Sequence, residues 1–256
     1  MTYFHAIILG LVEGITEFLP ISSTGHMILV SELLRIPDTD FLKSFEIVIQ
    51  MGAIGAVLVL YFKRFFSIPV ILRLICGFIP TAIIGFTLYP FVKSYLLGNS
   101  FVVVSALALG GVFLILFEKL HQETALAEQS ITDITYKQAF FIGLFQSIAL
   151  IPGVSRSAAT IVGGLYMGLK RVTIVEFSFL LAVPTMTAAT GLDLLKNHSS
   201  FSMDMVGLLA TGFFVAFVVA LIFIVGLLKF IKKHTFIPFG IYRIIVAVLF
   251  TLFVIL

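Results

Sequence analysis

Six stretches of this sequence, 45–62, 68–90, 100–117, 174–195, 205–228 and 237–256, are long, nearly unbroken apolar runs. A helix needs roughly 20 apolar residues to cross a hydrocarbon core about 30 Å thick, and a helix is how such a stretch satisfies its own backbone in lipid. The rest of the chain agrees, with 60% of its 256 residues hydrophobic and 11% charged and a mean hydropathy of +1.18. These values exclude an ordinary soluble domain. The expected class is an all-α polytopic membrane protein, one integrated bundle without a soluble domain. A net charge of +3 gives no ground for a nucleic-acid partner. The single cysteine, Cys76, lies in an apolar run and reads as a small buried thiol that has no partner for an internal disulfide.

Two further apolar runs are too short to cross. The run 5–19 carries Glu13 and Glu17 and lacks a basic n-region and a small-residue cleavage site, so it reads as mature chain rather than a signal peptide. It is interrupted at Pro20 by Ile-Ser-Ser-Thr-Gly before a second short run, 27–34. The same pattern returns later as 139–151, a break at "PGVSRS", and 158–169. Each reads as a re-entrant hairpin of two half-helices meeting inside the membrane. Laying "AIILGLVEGITEFLPISSTGHMIL" over "AFFIGLFQSIALIPGVSRSAATIV" matches Ala6, Gly10, Leu11, Ile15, Ser22 and Ile28 with Ala139, Gly143, Leu144, Ile148, Ser155 and Ile161. The chain therefore reads as two repeats, 1–125 and 126–256, each one hairpin plus three transmembrane helices, joined through a polar stretch, 118–138, with Glu118, Glu123, Glu128 and Asp133. An odd number of crossings per half turns the second repeat upside down relative to the first.

Loop charges give the expected orientation. Lys63, Arg64, Lys119, Lys137, Lys170, Arg171, Lys229, Lys232 and Lys233 fall on one side, against Lys93 and Lys196 in the opposite inter-helix loops; Arg35 and Lys43 run against the trend. The richer side is expected to be cytoplasmic, with both termini outside and the hairpin tips meeting near the midplane.

Ionisable groups at that depth cost about 2.5 to 3.5 kcal/mol each, so Glu13, Glu17 and Arg156 need a reason to be there. Glu13 and Glu17 are four apart, on one helix face. Such a pair suits either a shared hard divalent cation or a shared proton. Ser22, Ser23 and Thr24, and Ser155 and Ser157 beside Arg156, follow the two breaks, where hydroxyls cap free amides. Two half-helix N-termini and an arginine form an anion site suited to phosphate. A divalent metal or a protonated His26 would bridge carboxylates and phosphate. Glu46 and Gln50 share a face of the first long helix and either line the same cavity or cap that helix. Glu176 and Arg243, near span ends, read as snorkelling or paired, and His5, His121, His198 and His234 as interfacial.

At these residues the sequence resembles the undecaprenyl-diphosphate phosphatase family of the integral-membrane, bacitracin-resistance type. "EGITEFLPISSTGH" and "PGVSRSAATI" resemble its two signature motifs, and "EFSFLLAVP" and "FIPFGIYR" are similar to further stretches of it. The resemblance implies removal of the terminal phosphate from undecaprenyl diphosphate, yielding the monophosphate carrier for peptidoglycan and other wall polymers, and bacitracin resistance. It implies Glu13 and Glu17 as the acidic pair, His26 and Ser22 to Thr24 as active-site groups, and Arg156 with Ser155 and Ser157 gripping diphosphate. It also implies a divalent cation, magnesium or calcium, and a bacterial inner-membrane site opening to the outer face. The expected partners are the prenyl diphosphate and membrane lipids, with a homodimer left open. Within that reading Glu13 and Glu17 position the metal, Glu17 is also able to accept a proton, and Ser23 is the nucleophile with His26 as its proton partner; His26, or a water deprotonated by Glu17 or His26, are the other attacking groups. The competing classes are a transporter or flippase of prenyl phosphate lipids, which shares the broken-helix plan, and a membrane scaffold.

Overall fold

The computed structural model describes residues 1–96, 99–121, 130–197 and 205–255. Its principal helices are α1 (Tyr3–Thr16), α2 (Ser23–Leu33), α3 (Asp40–Leu60), α4 (Ile68–Phe91), α5 (Ser100–Leu120), α6 (Tyr136–Ser147), α7 (Arg156–Tyr166), α8 (Arg171–Asn197), α9 (Val206–Ile231) and α10 (Ile237–Phe250). Among the described residues there is no strand, and six helical stretches are long and apolar enough to cross a membrane. They are α3, α4, α5, α8, α9 and α10, the last continued through a π-helical turn that follows Phe250.

Several helices start before their apolar runs do, because polar caps set the ends. Thr39 accepts the Leu42 amide at the start of α3, and Thr135 forms a reciprocal capping box with Gln138 at the start of α6. The order short, short, long, long, long occurs twice along the chain. Of the short helices, α1 has 14 residues and α6 has 12, so neither rises more than about 21 Å, less than a hydrocarbon core.

Packing interleaves the two halves. α1 lies against α9 and α6 against α4, so each half's first short helix rests on the other half's second long one, while α5 pairs with α10. Small residues permit the close crossings: a Cβ on Gly143 would sit 2.0 Å from the Gly77 carbonyl oxygen. The main core gathers around α8, whose Phe177, Phe179, Leu180, Leu181 and Ala182 are all buried. Within a membrane the most apolar helix need not be central: α9 turns much of its surface outward, whereas α8, which carries more polar residues, is enclosed by its neighbours. The expected boundary at 125/126, with Glu123, Glu128 and His198, lies outside the described residues.

Candidate active site

Both helix breaks are built the same way. Ser22 and Ser155 are the N-caps of α2 and α7, and both hold left-handed backbone, with φ of 72° and 79°. Non-glycine residues are uncommon there, so two at matched positions of two motifs mark shaped turns rather than loose loops. Each serine caps its helix through its own oxygen: Ser22 Oγ accepts the Gly25 amide at 3.3 Å and Ser155 Oγ the Ala158 amide at 3.2 Å. Gly153, at φ 94°, lies within the second break in a conformation only glycine adopts freely, and a Cβ there would meet the Val103 carbonyl at 2.6 Å. The two breaks touch, for a Cβ on Gly25 would lie 3.5 Å from Gly153 Cα.

What the contact assembles is an acid, a hydroxyl and a guanidinium. Ser23 Oγ donates to Glu17 Oε2 in a short hydrogen bond. Glu17 Oε1 takes a 2.7 Å ion pair from Arg156 Nη2, so the same carboxylate ties the first break to the second. Arg156 Nη1 donates to Ser178 on α8, at 3.0 Å to its carbonyl oxygen and 3.3 Å to its hydroxyl. Thr160 braces that serine, its hydroxyl 2.6 Å from Ser178 Oγ, and the Phe18 ring lies 5.9 Å from Arg156 Cζ. Ser157 donates to the Leu19 carbonyl and lies 3.1 Å from Ser155 Oγ, so both second-motif hydroxyls are engaged in holding the breaks. Glu17, Ser23 and Arg156 are all buried.

Two groups are left with unused valence. Glu13 is fully buried beside Glu17, within electrostatic reach of Arg156 and Glu46. Among the described residues no donor reaches either of its oxygens, and the buried Nε of Arg156 likewise has no acceptor. A buried carboxylate without donors and a buried N–H without an acceptor are costly, and each suits a ligand of opposite character.

His26 is placed elsewhere than as Ser23's proton partner. Its Nδ1 lies 2.7 Å from the Ser22 carbonyl and its Nε2 3.0 Å from the Tyr242 hydroxyl, so both ring nitrogens are engaged away from Ser23, whose hydrogen bond goes to Glu17. Thr24 lines a cavity of about 300 Å³ together with Glu46, Gln50 and Lys43. Glu46, which the sequence left between lining and capping, lines that cavity and accepts from Ser31 at 2.9 Å. A second, mostly apolar cavity of about 550 Å³ runs between α3, α4 and α8 and shares Lys43, Ile47 and Gln50 with the first.

Arg243 overturns the expectation of a snorkelling or paired residue. It is 1% exposed and donates only to carbonyls: Pro20 at 3.3 Å, Gly153 and Val154 at 3.0 Å, Ala106 at 2.9 Å and Leu107 at 3.3 Å. One guanidinium thus grips both breaks and α5. Its signal in the sequence was depth, an arginine several residues inside an apolar run, where charge is expensive without a task. Tyr242 and Ser178 carried no comparable signal. His121 and His234 do sit at helix ends, stacked on Phe117 and Phe230, and Glu176 is half-buried facing Arg64 and Lys232.

Fold and site together define a multi-pass helical membrane protein that gathers an acid, a hydroxyl and a guanidinium at two touching helix breaks inside its bundle. Residues 6–249 match the family model described as bacitracin resistance protein BacA, and the chain belongs to that family. It is 54% identical to the undecaprenyl-diphosphatase of Sulfurihydrogenibium sp. (strain YO3AOP1) over 98% of this chain and 99% of the relative. Its identity is 53% to the undecaprenyl-diphosphatase of Wolinella succinogenes, over 98% and 97% of the two chains, and 50% to that of Aquifex aeolicus (strain VF5), over 99% of each.

Proposed function

We propose that this chain is an undecaprenyl-diphosphatase of the bacterial inner membrane, hydrolysing the terminal phosphate of the prenyl diphosphate carrier to give the monophosphate and supporting bacitracin resistance. The relatives of that name match it end to end. The observation that carries the mechanism is the hydrogen bond from Ser23 to the same Glu17 carboxylate that Arg156 pairs with. Glu17 takes the Ser23 proton as Oγ attacks the terminal phosphorus. The Oγ–P bond forms as the anhydride P–O bond breaks, and prenyl phosphate leaves. Glu17 passes that proton to the departing prenyl phosphate, then takes a proton from water as the water attacks the phosphoserine, and returns it to Ser23 Oγ as the Oγ–P bond breaks and inorganic phosphate is released. The unpartnered Arg156 Nε supplies a donor for the diphosphate, and Ser22, Ser155 and Ser157 hold the two turns that frame it.

Glu13, with oxygens free of donors beside Glu17, fits a hard divalent cation such as magnesium or calcium. Among the described residues no three His, Cys, Asp or Glu side chains cluster as ligands, so Glu13 and Glu17 would share the ion with water and phosphate oxygens. Bound there, the ion supplies charge neutralisation for the diphosphate. The prenyl tail suits the apolar cavity between α3, α4 and α8.

The crosswise packing of α1 on α9 and α6 on α4 supports two inverted repeats with α1/α2 and α6/α7 as re-entrant hairpins. The same plan favours the transporter or flippase as the second reading. Phosphate release separates the two. Detergent-solubilised protein is expected to release inorganic phosphate from undecaprenyl diphosphate; Ser23→Ala abolishes this and Glu17→Gln lowers it by orders of magnitude. Absence of release from the folded wild type overturns the hydrolase and leaves the carrier.

A further inference from the structure

We propose that Tyr242 is a positioning residue for the reaction: its hydroxyl holds His26 in one tautomer, and through it the turn that aims Ser23 at Glu17. The inference rests on the hydrolase reading for its kinetic consequence and on geometry alone for the contact.

The hydrogen-bond partners assign the ring. Nδ1 of His26 lies 2.7 Å from the Ser22 carbonyl oxygen, which only accepts, so Nδ1 carries the hydrogen. In the neutral ring Nε2 is then an acceptor, and the Tyr242 hydroxyl at 3.0 Å is its donor. The two ring planes lie within 6° of parallel, with centroids 5.5 Å apart, so imidazole rotation is opposed by the neighbouring ring as well as by the hydroxyl. The carbonyl held by Nδ1 belongs to Ser22, the residue with φ 72°, and the next residue is Ser23. Backbone that departs from the common regions persists only where its surroundings hold it. The ring bond to the Ser22 carbonyl is such a hold, and Tyr242 secures it from α10.

Tyr242 is 42% exposed and its hydroxyl bonds to His26, so it acts on Ser23 at one remove. The simpler role for an exposed tyrosine in a membrane protein is interfacial anchoring, and the two roles differ in what removal of one oxygen does. Tyr242→Phe keeps the ring and its lipid contacts. If Tyr242 positions His26, the variant melts at the wild-type temperature, keeps the wild-type KM for undecaprenyl diphosphate and loses roughly tenfold in kcat, the order of one hydrogen bond. Ring-nitrogen NMR of labelled His26 moves from a single Nδ1–H tautomer to a mixture. Wild-type kcat with an unchanged His26 signal overturns the proposal, and so does a fall in melting temperature that accounts for the whole loss. Failure of the wild type to release phosphate would reject the hydrolase reading, while the tautomer signal still reports on the Tyr242–His26 bond.

Discussion

Arg156 is asked to do two things with one guanidinium: balance Glu17 inside the bundle and keep Nε free for substrate. A lysine would keep the charge but not the planar fork. Arg156→Lys is therefore expected to fold and melt like the wild type while losing tenfold to a hundredfold in kcat/KM, since a charge-assisted bond is worth about 1.5 to 3 kcal/mol. Steady-state kinetics beside a thermal melt checks it, and an unchanged kcat/KM would leave Arg156 a structural counter-ion. Arg156→Ala is less informative, because it strands a buried Glu17 and costs about 3–5 kcal/mol of stability on its own. The residues of this pair were legible in the sequence as charges too deep to be idle. Their wiring was not: Ser23, Glu17 and His26 lie within one motif, and only the turn at Ser22 decides which of them meet. A left-handed serine leaves no trace in a hydropathy pattern.

At the scale of helices, the spans were legible because lipid enforces a length, and the six long runs reappear as helices with their ends moved by caps. The breaks were legible through Pro20 and through the "PGVSRS" stretch. The crossings were not, because a glycine in a transmembrane run reads the same whether it faces lipid or another backbone. Gly143 faces another backbone, with no room for a methyl against the Gly77 carbonyl. Gly143→Ala is expected to push α6 from α4 and lower stability by about 1 to 3 kcal/mol, whereas Gly226→Ala on α9, where a Cβ meets nothing within 4 Å, is expected to melt unchanged. Equal melting of the two variants would contradict the close crossing.

For the whole molecule, the loop charges and the alternation of spans give an orientation that labelling can test. In a Cys76→Ser background, a cysteine at Ser94 is expected to react with an impermeant thiol reagent from outside intact cells, and one at Thr235 only after the membrane is opened. Both positions are exposed. Reversed labelling would invert the molecule and close the proposed site to the outer face. Nothing in the sequence signalled that α1 would pack on α9 and α6 on α4, because such pairing follows from which faces meet and the apolar runs offer similar faces. The two aligned motifs also differ in chemistry. Glu13 matches Gln146, whose amide is engaged by Thr81 and Thr185, and Ser23 matches Arg156, so one half supplies the acids and the other the cation.

The grip of Arg243 on both breaks has a consequence in time. The carbonyls it binds come from residues 20, 106, 107, 153 and 154, yet the arginine itself lies on α10, which leaves the ribosome after all of them. Until that helix is inserted, Pro20, Gly153 and Val154 lack this shared donor and the turns stand without their common clasp. A nascent chain therefore has its acids, hydroxyls and Arg156 in place along the chain before it has the means to lock them together, and synthesis itself delays competence until the bundle is closed.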